Sequence, residues 1–130
     1  MLASKKDIAI NKGNSINLKV QFKNENGEII VFESGAIIYF TVKENYCNND
    51  FLFQKTSLHG IEYDENSRSY IISIDISDTE NLEYKNYVYD IAVVRNKGEG
   101  SADLKEKQTI LIGNFGVCFV ATFAENEVGS

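Results

Sequence analysis

The residues able to do chemistry are few and far apart. His59 is the single imidazole, and Cys47 and Cys118 are the only thiols. A nucleophilic triad built on His59 would need a Ser or Cys beside it and a carboxylate behind it. The local sequence LHGIE sets this histidine next to a glycine in a connection, where a solvated side chain is expected. Two thiols and one imidazole fall short of the four ligands of a structural zinc site, and no Cys-x-x-Cys spacing occurs. Asp75-x-Ser77-x-Thr79 has the spacing of one kind of magnesium site, but a helix-capping role explains the same residues. Asp64, Asn66 and Arg68 have the opening rhythm of a calcium loop without its sharp-turn glycine or its closing glutamate, so a hairpin turn is expected. Gly98-Glu99-Gly100 lacks the Lys-Ser/Thr that follows in a phosphate loop. No catalytic, cofactor-binding or metal-binding residue is assigned, no cofactor is implied, and no enzymatic activity is expected.

Bulk properties narrow the classes further. The chain has 130 residues, 43% of them hydrophobic and 25% charged, which fits one globular domain over 1–130. Residues 1–6 and 124–130 are expected to be flexible ends. Net charge is −6, and only 13 lysines and arginines occur. Phosphate neutralisation needs a concentrated basic face, so nucleic acid and anionic membrane are not expected partners. The opening MLASKKDIAI has no apolar run ahead of a cleavage site, and no stretch of about 18 apolar residues appears. Folding in a reducing cytoplasm, with two free thiols, is the expectation.

The elements that must position these residues are strands. In NSINLKVQF, Ile16, Leu18, Val20 and Phe22 fall on one side and Asn17, Lys19 and Gln21 on the other. Asn26-Gly27 then marks a hairpin turn. AIIYFTVKE alternates Ile38, Phe40 and Val42 with Tyr39, Thr41 and Lys43. FLFQKT, YIISIDI and NYVYDIAVVR add strands, and KQTILIG and NFGVCFVATF read as two more, divided at Gly113-Asn114. Between them lie polar turns and one long polar loop, RNKGEGSADLKEK, over 95–107. Seven to eight strands without a long helical period predict an all-β, immunoglobulin-like antiparallel β-sandwich.

SDTENL, residues 77–82, interrupts the strands. Ser77 followed by Glu80 fits a capping box, which predicts one short helical turn with Leu82 anchored on the core. In sandwiches of the immunoglobulin type such a turn crosses between sheets, and a tyrosine opening the next strand bonds its hydroxyl back to the turn. Tyr87 stands at that position.

Three stretches in order carry a resemblance. GNSINLKVQFKNENGEIIVFESGAIIYFTVKEN, SYIISIDISDTENLEYKNYVYDIAVV and KQTILIGNFGVCFVAT together resemble small immunoglobulin-like domains of tail, baseplate and fibre proteins of phages and prophages that infect Gram-positive bacteria. The likeness runs over roughly residues 8–122. Asn14, Phe32-Glu33 and Asn86 depart from the usual pattern. The resemblance implies a structural or adaptor module of a virion or phage-like particle, assembled in the bacterial cytoplasm. Its partners would be other particle proteins or copies of itself. Outward-facing Ile37, Tyr39, Val88 and Val94 form the expected interface, since a lone monomer rarely displays so much apolar surface. An alternative role is recognition of a host-surface carbohydrate or protein through loops 45–50 and 95–107, with Tyr46, Phe51 and Tyr63 as stacking residues.

Overall fold

The computed structural model describes residues 4–96 and 105–118. Its strands are β1 (Ser4–Lys5), β2 (Ile8–Asn11), β3 (Ile16–Val20), β4 (Phe22–Lys23), β5 (Ile29–Ile30), β6 (Ile37–Lys43), β7 (Phe53–Thr56), β8 (Ile61–Asp64) and β9 (Ser69–Ile74). A single helical turn, α1 (Ile76–Thr79), precedes β10 (Asn86–Asn96) and β11 (Lys105–Cys118). The larger sheet runs β1-β11-β10-β6-β7, with β2 also paired to β11; the smaller runs β3-β9-β8, and β4-β5 form a separate ribbon. This is an all-β, sandwich-like fold. The long ladders are antiparallel as the alternation predicts, whereas β1 and β2 both pair with β11 in parallel.

Alternation decides what goes inside. Ile38, Phe40 and Val42 of β6 face Ile72 and Ile74 of β9 within one buried cluster, together with Tyr87, Tyr89, Ile91 and Val93 of β10. Aromatic rings form its centre. Phe40 lies 5.4 Å from Tyr89 and 6.2 Å from Phe115, and Phe53 lies 5.8 Å from Phe115, between ring centroids. Such tilted and edge-on pairs add to the burial of the rings themselves.

Two turns differ in detail from expectation. The Asn26-Gly27 hairpin joins β4 to β5 through residues 24–28, and only Gly27 takes positive φ, at 84°. Asn24 organises the loop by accepting the backbone N–H groups of Asn26 and Glu28 on its side-chain oxygen. The division at Gly113-Asn114 is corrected: β11 runs unbroken through it, with Gly113 opposite Tyr89 and Asn114 opposite Val88. The glycine serves close approach instead of a turn. A Cβ at position 113 would sit 1.8 Å from the Lys6 carbonyl oxygen, where the amino-terminal chain crosses over β11. The register between β10 and β11 slips between Ile91 and Ala92, leaving Ile110 as the extra, buried residue of a β-bulge.

Candidate interaction surface

The corner after β9 is built from different caps than the sequence implied. Helix α1 begins at Ile76 with Asp75 as its N-cap, and Asp78 returns a carboxylate oxygen to the Asp75 N–H at 2.7 Å. The Ser77/Glu80 capping box is therefore corrected. Ser77 lies inside the turn and Glu80 is its C-cap. Aspartates at N-cap and N3 do the same work two residues earlier, and they win because Lys55 is there to meet them. The Lys55 ammonium, on an otherwise buried side chain of β7, lies 2.8 Å from Asp78 and 3.8 Å from Asp75. Alternation in the sequence did not single out Lys55 as inward-facing.

Leu82 packs half-buried against the core, and its N–H bonds the Thr79 carbonyl. Tyr87 is 3% exposed, and its hydroxyl oxygen accepts the Glu83 N–H at 2.9 Å. The phenol therefore ties the start of β10 to the residue just past the 77–82 turn.

A second phenol has a comparable task. The Tyr89 hydroxyl donates to the Lys6 carbonyl, while Asn114 N–H donates to Asp7 Oδ1 at 2.9 Å. The Tyr89 hydroxyl is pushed up to about 12, mainly by burial and then by the nearby Asp7 and Tyr46. It stays a protonated donor at physiological pH. Together these contacts clamp the first strands onto β11.

The candidates for chemistry remain scattered. His59 is exposed in the turn between β7 and β8, where Thr56 and His59 exchange backbone hydrogen bonds. Asp64 accepts the Ser67 hydroxyl in the β8–β9 hairpin, and that bond first of all lowers its carboxyl below the ordinary value. Asp75 and Thr79 do not converge on a common point with Ser77: Asp75 caps the turn and Thr79 is buried inside it. Among the described residues no cluster of His, Cys, Asp and Glu is arranged to hold a metal ion. Both cysteines are exposed and unbonded.

The aromatic residues assigned to ligand loops do not share a surface element. Tyr46 and Phe51 lie in the β6–β7 connection, whereas Tyr63 is on β8 in the other sheet. The Tyr46 hydroxyl is already engaged, donating to the Gly113 carbonyl at 3.0 Å. The Tyr63 ring rests on Tyr70, centroid to centroid 5.1 Å. Phe51, half exposed, keeps its ring toward solvent. Residues 97–104 of the 95–107 loop, like 1–3 and 119–130, lie outside the described residues.

The outer face of the larger sheet collects the remaining sequence-assigned residues. Ile37 pairs with Val94, Tyr39 with Ala92 and Val88 with Lys43 across β6 and β10. Ile37, Tyr39, Val88 and Val94 are all half-buried, and Ala92 among them is fully buried. In their midst stands Asp90. Tyr39, Thr41, Gln54, Asp90, Ala92 and Lys107 line a shallow hollow of about 170 Å³. Burial pushes the Asp90 carboxyl above its ordinary value, an effect that Lys107 and Lys43 oppose. Beside it, Gln54 donates to the Thr41 hydroxyl at 2.9 Å, so those two groups satisfy each other. The face is thus an apolar ladder around one incompletely solvated carboxylate. Sequence alternation located the ladder but gave no sign of the environment of Asp90.

No protein-family model matches the chain, and no curated protein matches it at a significant level.

Proposed function

We propose that the chain is a non-enzymatic structural or adaptor module of a phage, prophage or phage-tail-like particle, joined to its neighbours through the outer face of the larger sheet. The observation that carries this reading is the outward row of Ile37, Tyr39, Val88 and Val94 on β6 and β10, half-buried apolar side chains around the hollow at Asp90. Apolar side chains gathered on one outer sheet face are a common setting for protein contact. The strand order supports the immunoglobulin-like reading. β3-β9-β8 against β11-β10-β6-β7 follows the order of an immunoglobulin sandwich with one strand added to the second sheet. The phenol of Tyr87 tied to backbone four residues upstream matches the corner of such domains. With these features the three-stretch sequence resemblance points to the tail, baseplate, fibre or capsid surface of a particle.

The test is association. The purified chain should form oligomers with rising concentration in light scattering, or sediment with particles from its native host. Tyr39→Glu should abolish either behaviour while the circular dichroism spectrum stays that of the folded parent, with some loss of melting temperature because the new carboxylate stands beside Asp90. A strict monomer at high concentration that is also missing from particles overturns the proposal.

A further inference from the structure

The two sheets close unevenly. A cleft of about 760 Å³ lies among the amino-terminal segment, β3 and β4, and the β10–β11 pair. Ile8, Leu18, Val20, Ile110 and Leu111 give it an apolar lining, with Tyr89 and Ile91 of β10 among them. Leu18 and Val20 alternate toward the core, yet like Ile16 they remain half-buried. The reason is topological. β1 and β2 both pair with β11, so neither covers the edge of the smaller sheet. β3 pairs with β9 alone among the described residues, and its other edge faces the cleft. A strand edge with unpaired N–H and C=O groups beside an apolar trough is a template for one more strand.

The charge at its mouth indicates the character of that strand. Although the chain is acidic overall, Lys6, Lys19 and Lys23 border the cleft, against the single carboxylate of Glu25. None of the three lysines is in an ion pair among the described residues. Lys19 alternates with Leu18 and Val20, so it lies on the outer face of the smaller sheet. An added strand would present every second side chain there and the others to the trough.

We propose that this seam receives an extended strand of a partner polypeptide, apolar at alternate positions and carrying carboxylates between them, hydrogen-bonded along the free edge of β3. The inference rests on the seam alone and is independent of association through the larger sheet.

The full chain, labelled with ¹⁵N, is titrated with an acetylated heptapeptide of alternating valine and glutamate. Amide shifts and slowed hydrogen exchange are expected at residues 17–21, with the β7 and β8 edges unchanged. A valine–lysine heptapeptide should bind at least about ten-fold more weakly. So should the valine–glutamate peptide methylated on alternate backbone nitrogens, because it cannot pair. Replacing Leu18 would alter the trough itself, so the variant is the exposed pair Lys19→Glu with Lys23→Glu, its folding checked by melting. It should reverse the preference toward the valine–lysine peptide. Absence of shifts, shifts at another edge, equal binding of both peptides, or an unreversed preference each overturns the proposal.

Discussion

The two flanks of β10 and β11 are built on different terms. Toward β6, the inward side chains of β10 are closely covered: Tyr89, Ile91 and Val93 are at most 1% exposed, and Phe40 and Val42 opposite them are fully buried. Phenol hydroxyls finish the job by tying irregular backbone to the sheets. Tyr87 holds Glu83, Tyr89 holds Lys6, and Tyr70 accepts the Phe32 N–H at 2.9 Å. Toward β3 there is no equivalent. Ile16, Leu18 and Val20 have the same alternation as β6 and the same apolar character, but they are only partly buried. Period-two patterning selects the face a residue turns inward; strand order decides whether anything meets it there.

That contrast should be visible in truncations of similar chemistry. Phe40→Ala removes a ring in contact with Tyr89, Phe53 and Phe115, and it is expected to cost about 4 kcal/mol. Leu18→Ala, at the seam, should cost only about 1 kcal/mol, because water already reaches part of the side chain. Urea denaturation followed by circular dichroism separates the two. Equal losses would mean that the seam is as well packed as the centre.

Gly113→Ala tests the clamp between these regions. A methyl group there would collide with the backbone of Lys6, so β1 must move away from β11 or the glycine's strand must shift. A loss of about 3 kcal/mol is expected, with faster amide exchange at residues 5–6. Gly35→Ala, which meets no atom within 4 Å, is the matched control and should change stability little. The corner gives a smaller effect. Tyr87→Phe keeps the ring and strands the Glu83 N–H, which is expected to cost about 1 kcal/mol and to raise exchange at that amide above all others.

Much of the architecture was legible because it depends on local period. The faces of β3, β6, β9 and β10 follow directly from alternation, and the polar interruption at 77–82 announces a short helical turn, which lies at Ile76–Thr79. What was not legible depended on partners distant in the chain. Asp75 and Asp78 displaced Ser77 and Glu80 as the cap because Lys55 lies 20 or more residues away in sequence but 2.8 Å away in space. Gly113 read as a turn because the signal that explains it is the backbone of Lys6. The Tyr46 hydroxyl donates to the Gly113 carbonyl, a partner 67 residues along the chain that no local pattern reveals. The outward placement of Ile37, Tyr39, Val88 and Val94 follows from alternation, whereas the hollow around Asp90 required knowing which strands stand next to β10.

Asp90 supplies the finest discrimination between a satisfied and an unsatisfied face. Its carboxyl lies above the ordinary value of 3.8 because burial disfavours the charged form. The sign follows from proton uptake. Between the ordinary value and the raised one, the native state holds a proton that the unfolded chain has lost, so stability falls as pH climbs through that interval. Above it the deficit is constant. Asp90→Asn, which keeps the shape and removes the charge, should therefore melt higher than the parent at pH 7 and match it most closely below pH 3.8. The gain should stay below about 1 kcal/mol, since Lys43 and Lys107 and the remaining water already shield the carboxylate. Raising the salt concentration should widen the difference by screening those lysines. A parent and variant whose stabilities run parallel from pH 3 to 8 would place Asp90 in ordinary solvent. The outer face of the larger sheet would then contain no desolvated charge for a neighbour to cover.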